Sequence, residues 1–125
     1  MRIIRITWRS IRRSLMKVNH PSKENFVLEY ESLCGPENAV FYRGKIVGKN
    51  EINLPEYWSD LIDPMTVSVH LTPIGAHQDI IIKRVGQNKV WLQSRSGIPI
   101  HCYYLILAER RDVPKLIPEQ PLTGG

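Results

Sequence analysis

Long apolar runs are missing from this 125-residue chain. The most apolar stretch, Cys102 to Ala108, falls far short of the ~20 residues that a helix needs to cross a bilayer, so stable membrane insertion is not expected. Cysteine is scarce: Cys34 and Cys102 are the only two, and no Cys-x-x-Cys or His-x-x-x-His spacing of the kind that holds zinc occurs. His101 and Cys102 are neighbours, but adjacent strand residues face opposite sides and do not easily share an ion. The Gly-x-Ser-x-Gly turn of serine hydrolases and the glycine loop that cradles phosphate are both absent. A thiolate at Cys34 or Cys102 with His70 or His77 as base is conceivable, yet neither cysteine precedes a helix start that would lower its pKa. Glu56 and Asp60 stand four apart, as solvated carboxylates on a helix commonly do. The expectation is therefore a protein without catalysis, cofactor or bound metal. No uninterrupted apolar core with a small-residue cleavage site opens the chain, so the thiols read as free in a reducing cytoplasm. Whether Cys34 and Cys102 pair depends on the fold, since spacing alone does not decide it.

Acidic residues are missing from positions 1–23, which hold seven Lys or Arg (Arg2, Arg5, Arg9, Arg12, Arg13, Lys17, Lys23). The net charge of +5 belongs to this segment, because the remainder carries ten basic against twelve acidic residues, a net of −2. A basic face on the folded body, which phosphate binding requires, is not indicated, and no nucleic-acid partner is expected. Within residues 1–19, Ile4, Trp8, Ile11, Leu15 and Val18 recur at steps of four and three, the stripe of a basic amphipathic helix. Three readings of that helix stand: a docking or connecting element, a membrane-surface or targeting segment, or an extension foreign to the domain. His20-Pro21-Ser22 ends it, since a residue before proline is pushed away from helix.

From Glu24 the signals turn to strands. Phe26–Tyr30, Ala39–Val47 (with Gly44 as a bulge or bend), Glu51–Leu54, Met65–Leu71, a strand holding Ile80–Ile82, and Lys89–Gln93 all read as short strands between Gly, Pro and Asn turns. In the last of these, Val90 and Leu92 share one face and Trp91 takes the other. Pro55–Ile62 reads as one or two helical turns with proline in the first. Ile98–Glu109 is nearly continuous in apolar residues and reads as a central strand, and its stretch Tyr103–Leu107 suggests burial on both faces, which is hard to achieve in so small a monomer. Residues 110–125 read as an extended exit. The fold class expected is all-β, a small antiparallel meander or sandwich with one short helical segment and an N-terminal basic helix. The divisions are 1–23 (basic segment), 24–113 (β-domain) and 114–125 (tail).

The aromatic residues are the remaining candidates for a site. Tyr57, Trp58, Trp91 and Tyr103 suit either a subunit interface or a surface on which sugar rings stack, although side chains of this size more often fill cores.

Four segments in order carry a recognisable pattern: Gly-Pro-Glu-Asn-Ala-Val-Phe-Tyr-Arg-Gly (35–44), Leu-Pro-Glu-Tyr-Trp (54–58), Thr-Val-Ser-Val-His-Leu-Thr-Pro-Ile-Gly (66–75) and Cys-Tyr-Tyr-Leu-Ile-Leu-Ala-Glu-Arg-Arg-Asp-Val (102–113). The stretch from Gly35 to Val113 resembles a β-rich domain of bacteriophage tail-fibre and other virion structural proteins. That resemblance implies a non-catalytic virion component, made in the host cytoplasm, that forms trimers, associates with other virion proteins and serves host attachment. The family frequently has a long repetitive shaft and a self-cleaving chaperone domain, which this sequence lacks; a fragment, a split gene product or a small relative without autoprocessing is expected. The alternative is a carbohydrate-binding module that recognises a host surface glycan, and a small cysteine- or metal-dependent hydrolase is the most remote reading.

Overall fold

The computed structural model describes residues 15–31, 34–95 and 97–122, with backbone alone at 15, 16 and 31. The chain divides into two compact units, Met1–Gly35 and Pro36–Gly125. The all-β expectation holds: among the described residues eight strands form three small antiparallel sheets.

In the first unit, β1 (Leu15–Asn19) and β2 (Val27–Glu31) form a hairpin, with Val18 opposite Leu28 and Asn19 opposite Val27. This corrects the expected helix over 1–19: its last five residues are a strand, and residues 1–14 lie outside the described part. The ladder with β2 satisfies the backbone of Leu15–Asn19, and alternation places Val18 inward, at 2% exposure, between exposed Lys17 and Asn19. A strip of Leu, Lys and Val fits either period when read in isolation. The connecting loop is held by His20, whose Nδ1 accepts from the backbone N–H groups of Ser22 (3.1 Å) and Lys23 (2.9 Å). Asn25, at φ 63°, supplies the left-handed residue of the turn. Among the described strands β2 pairs with β1 alone.

The second unit is a three-stranded sheet folded over on itself. Its elements are β3 (Ala39–Val47), β4 (Glu51–Asn53), the helical turn α1 (Trp58–Leu61), a 3-10 turn at Pro64–Thr66, β5 (Ser68–Pro73), β6 (Ile80–Val85), β7 (Lys89–Ser94) and β8 (His101–Glu109). One sheet has the order β3-β8-β5 and the other β4-β7-β6. The registers show why these belong together. Consecutive β3 and β4 pair with consecutive β8 and β7, and β5 and β6 pair with the same two strands on the other side. Three long ribbons thus break at one level, around residues 48–50, 74–79 and 95–100. Gly48, at φ 71°, turns the first corner and donates its N–H to Ile100 O (2.7 Å). Gln78 spans the other two, donating to Ile74 O and His101 O and accepting from His101 N–H.

The inner faces of the two halves supply the core: Val40 and Ile46 of β3, Cys102, Ile106 and Ala108 of β8, Ile52 of β4, and Val90 and Leu92 of β7 are all buried. Trp58, Leu61 and Ile62 join them from the helical segment. β8 is central, as its composition indicated, but its second face is not covered: Tyr103 and Leu105 are 56% and 38% exposed. Burial of Tyr103–Leu107 on both faces is thus not achieved within the described residues of this unit. Among the described residues of this unit no layer lies against that side of Tyr103 and Leu105.

Residues of segments 35–44, 54–58, 66–75 and 102–113 close this fold. Leu54 and Trp58 enter the core, and Trp58 meets Tyr42 edge-on at 6.0 Å. Thr66 Oγ1 donates to Asp63 O (2.6 Å) and accepts from Glu109 N–H (2.9 Å), tying the 3-10 turn to the end of β8. Arg111 donates to the carbonyls of Ser59 (2.6 Å) and Asp60 (3.3 Å), satisfying backbone acceptors that a single helical turn leaves open. Arg110 forks onto Asp112 at 2.8 and 2.6 Å. Chain exit and helical turn are thereby one hydrogen-bonded corner.

Candidate functional site

The outer face of the β3-β8-β5 sheet holds the most distinctive surface cluster. Strand alternation sends Arg43 and Lys45 of β3, Tyr103 and Leu105 of β8, and His70 and Thr72 of β5 to this face. The register then lines them up in rows: Arg43, Leu105 and His70 stand side by side, and so do Lys45, Tyr103 and Thr72. Directly opposed side chains in such rows have Cβ atoms ~4.5–5.5 Å apart, so each row is a contact set. Together they line a concavity of about 600 Å³. Phe41, 43% exposed, continues the apolar line at one end.

Charge is distributed unevenly here. The second unit as a whole holds ten basic and nine acidic residues, yet β3 and β5 have no Asp or Glu, and β8 has only Glu109 at its far end. Glu109 is 8% exposed and faces Lys115 at 3.7 Å. Among the described residues neither Arg43 nor Lys45 makes an ion pair, and His70 Nε2 lies 3.1 Å from Ser68 Oγ. The cluster thus presents cationic donors around one exposed phenol ring.

The structure separates the four aromatic candidates. Trp58 is 1% exposed and is a core residue, edge-on to Tyr42, so it reaches neither a sugar nor another subunit. Tyr57, half-buried, is the residue before α1. Trp91 does face outward from β7, as alternation indicated, but the Arg84 guanidinium covers its ring at 4.0 Å. Tyr103 alone is widely exposed. Trp91 and Tyr103 sit on different sheets and form no common platform.

The reactive side chains do not converge in the described part. Cys102 is buried under β8, where desolvation raises its thiol pKa, while Cys34 is exposed in the first unit. Among the described residues no group of three His, Cys, Asp or Glu is placed to hold a metal ion, and no helix is long and apolar enough to cross a membrane.

Arg43, Lys45 and Thr72 carry no local signal of a site, and His70 stands out in the sequence only as a base, a metal ligand or a surface histidine. The alternation of Ala39–Val47 was visible, but nothing in it tells that its outward residues stand beside those of β5 and β8. Register, a long-range property, makes the cluster. No known protein family, curated protein or solved structure matches the chain.

Proposed function

We propose that the chain is a non-catalytic structural domain of a bacteriophage virion appendage, such as a tail fibre, assembling as a trimer beside other virion proteins. The observation that carries this reading is the open edge of the β4-β7-β6 sheet. Among the described strands β6 pairs only with β7, and along it Ile81, Ile82 and Val85 are 47%, 41% and 36% exposed. An edge strand with three exposed apolar side chains is a template for another chain, although Lys83, Arg84 and the irregularity between Ile82 and Arg84 restrict what can add to it. A second copy of this chain is the occupant. Lys83 and Arg84 oppose pairing of two like edges, whereas the opposite edge of the same sheet carries Glu51. A head-to-tail contact follows, which closes into a ring where the rotation between neighbouring copies allows it and otherwise extends into a filament. The resemblance of residues 35–113 supplies the number three, and the motifs behind it act here as packing and capping parts, which suits a building element.

Light scattering on the purified chain tests this. A particle three times the 14.5 kDa chain mass is expected, falling to the monomer in Ile82→Lys. A monomer at micromolar concentration contradicts it.

The exposed ring of Tyr103 favours a second reading, a carbohydrate-binding module for a host surface glycan. Glycan-array binding lost in Tyr103→Ala, with folding intact, supports that reading; an array without signal removes it.

A further inference from the structure

We infer that the concave outer face of the β3-β8-β5 sheet binds an anionic saccharide, one bearing carboxylate or sulfate groups. This deepens the carbohydrate reading above and rests on it. It does not require the assembly edge, which lies on the other sheet.

The argument begins with the ring. Tyr103 occupies the middle strand, is 56% exposed, and has Lys45 on one side and Thr72 on the other. An aromatic face flanked by hydrogen-bonding side chains can receive the C–H face of a pyranose while its neighbours reach the hydroxyls. The next row adds Arg43 and His70 on either side of Leu105. A guanidinium and an ammonium on one edge strand, two residues apart on the same face, form a pair of donors suited to carboxylate or sulfate oxygens. No acidic side chain stands in either row to neutralise them, although the unit overall is nearly balanced in charge. A cationic cluster of this kind therefore attracts an anion to a site where the ring already favours a sugar.

A single-stranded nucleic acid is the rival occupant, since bases also stack on tyrosine between cations. Such proteins present successive stacking platforms and a basic groove along the backbone path. This face offers two exposed rings, Tyr103 and Phe41, but the row of Arg43, Leu105 and His70 stands between them, so they are not successive stacking platforms. The geometry fits one sugar ring with an acidic substituent better than a run of bases.

Isothermal titration of the full chain at low salt tests the site with four probes: a galacturonate tetrasaccharide, a sulfated dextran oligosaccharide, neutral maltotetraose and oligothymidylate. The two acidic saccharides are expected to bind, and maltotetraose to bind at least roughly tenfold more weakly. Tyr103→Ala and the double variant Arg43→Ala/Lys45→Ala should each weaken acidic-saccharide binding roughly tenfold, while Tyr103→Phe keeps it. Unchanged urea midpoints and unchanged particle mass in these variants confirm that folding and assembly are intact. Equal binding of maltotetraose overturns the anionic site and leaves the carbohydrate reading standing. Absence of any saccharide binding, no loss in Tyr103→Ala, or tighter binding of oligothymidylate overturns the inference.

Discussion

The Tyr104 phenol lies across Gly44 on the facing strand, so close that a Cβ added at 44 would stand 2.6 Å from Tyr104 Oη and 2.8 Å from Cζ. The ring fills the space that a side chain at 44 would take, and its neighbour Tyr42 lies 6.2 Å away, centroid to centroid. Gly44→Ala should therefore force the ring aside and cost about 1–3 kcal/mol of stability, read from urea denaturation. In a Tyr104→Leu background the same change should cost clearly less, because the obstructing atoms are gone. Equal cost in both backgrounds would show that the contact is unimportant.

Trp58 and Trp91 should behave as opposites. Trp58→Ala removes an indole at 1% exposure and should cost about 3–5 kcal/mol, enough to unfold a marginal domain. Arg84→Ala uncovers Trp91 and should cost about 0.5–1 kcal/mol, with increased quenching of tryptophan emission by acrylamide. The two measurements separate a core aromatic from a surface one.

The two thiols should differ in reactivity. Cys34 is exposed and should react with an aromatic disulfide reagent in the native protein. Cys102 is fully buried and its pKa is raised by desolvation, so it should react only when the chain unfolds. One thiol counted under native conditions and two in denaturant is the expected result. Rapid reaction of both in the native protein would mean that the core opens at β8.

Stability should fall at alkaline pH. The Cys102 thiol is raised above its ordinary 9.0 by burial. The Tyr104 phenol is raised above its ordinary 10.0 by burial first, then by the charge and hydrogen bond of Tyr42. Both groups are neutral when protonated, so between the ordinary and the raised value the folded chain holds a proton that the unfolded chain has released. Stability from these groups is present in full below about pH 8 and declines as pH rises through 9.0 and 10.0. Urea midpoints across that range should drop, and Cys102→Ala should flatten the first part of the drop.

Local signals in the sequence carried much of the fold. Residues 39–47 were bounded as a strand without error, since apolar β-branched residues and two flanking turn signals agree there. The outward position of Trp91 followed from alternation with Val90 and Leu92. Strand β5 begins later than its pattern suggested, because Pro64 opens a 3-10 turn that Asp63 caps through Met65 N–H, and this uses Met65 and Thr66. Leu15–Asn19 read as helix because its apolar spacing fits both periods, and only the partner strand decides between them. The candidate site was the least legible part. Arg43, Lys45, His70, Thr72 and Tyr103 come from three strands far apart in sequence, and composition does not reveal their rows. Trp58 was a candidate by residue type alone, and packing against Tyr42 removed it.

The account stands on chain-to-chain association through the exposed edge of β6. Light scattering coupled to size exclusion, run on the wild type and on Ile82→Lys, measures it directly. A trimer for the wild type and a folded 14.5 kDa monomer for the variant are predicted. A wild type that elutes as a folded monomer, or a variant that still assembles, would contradict the account.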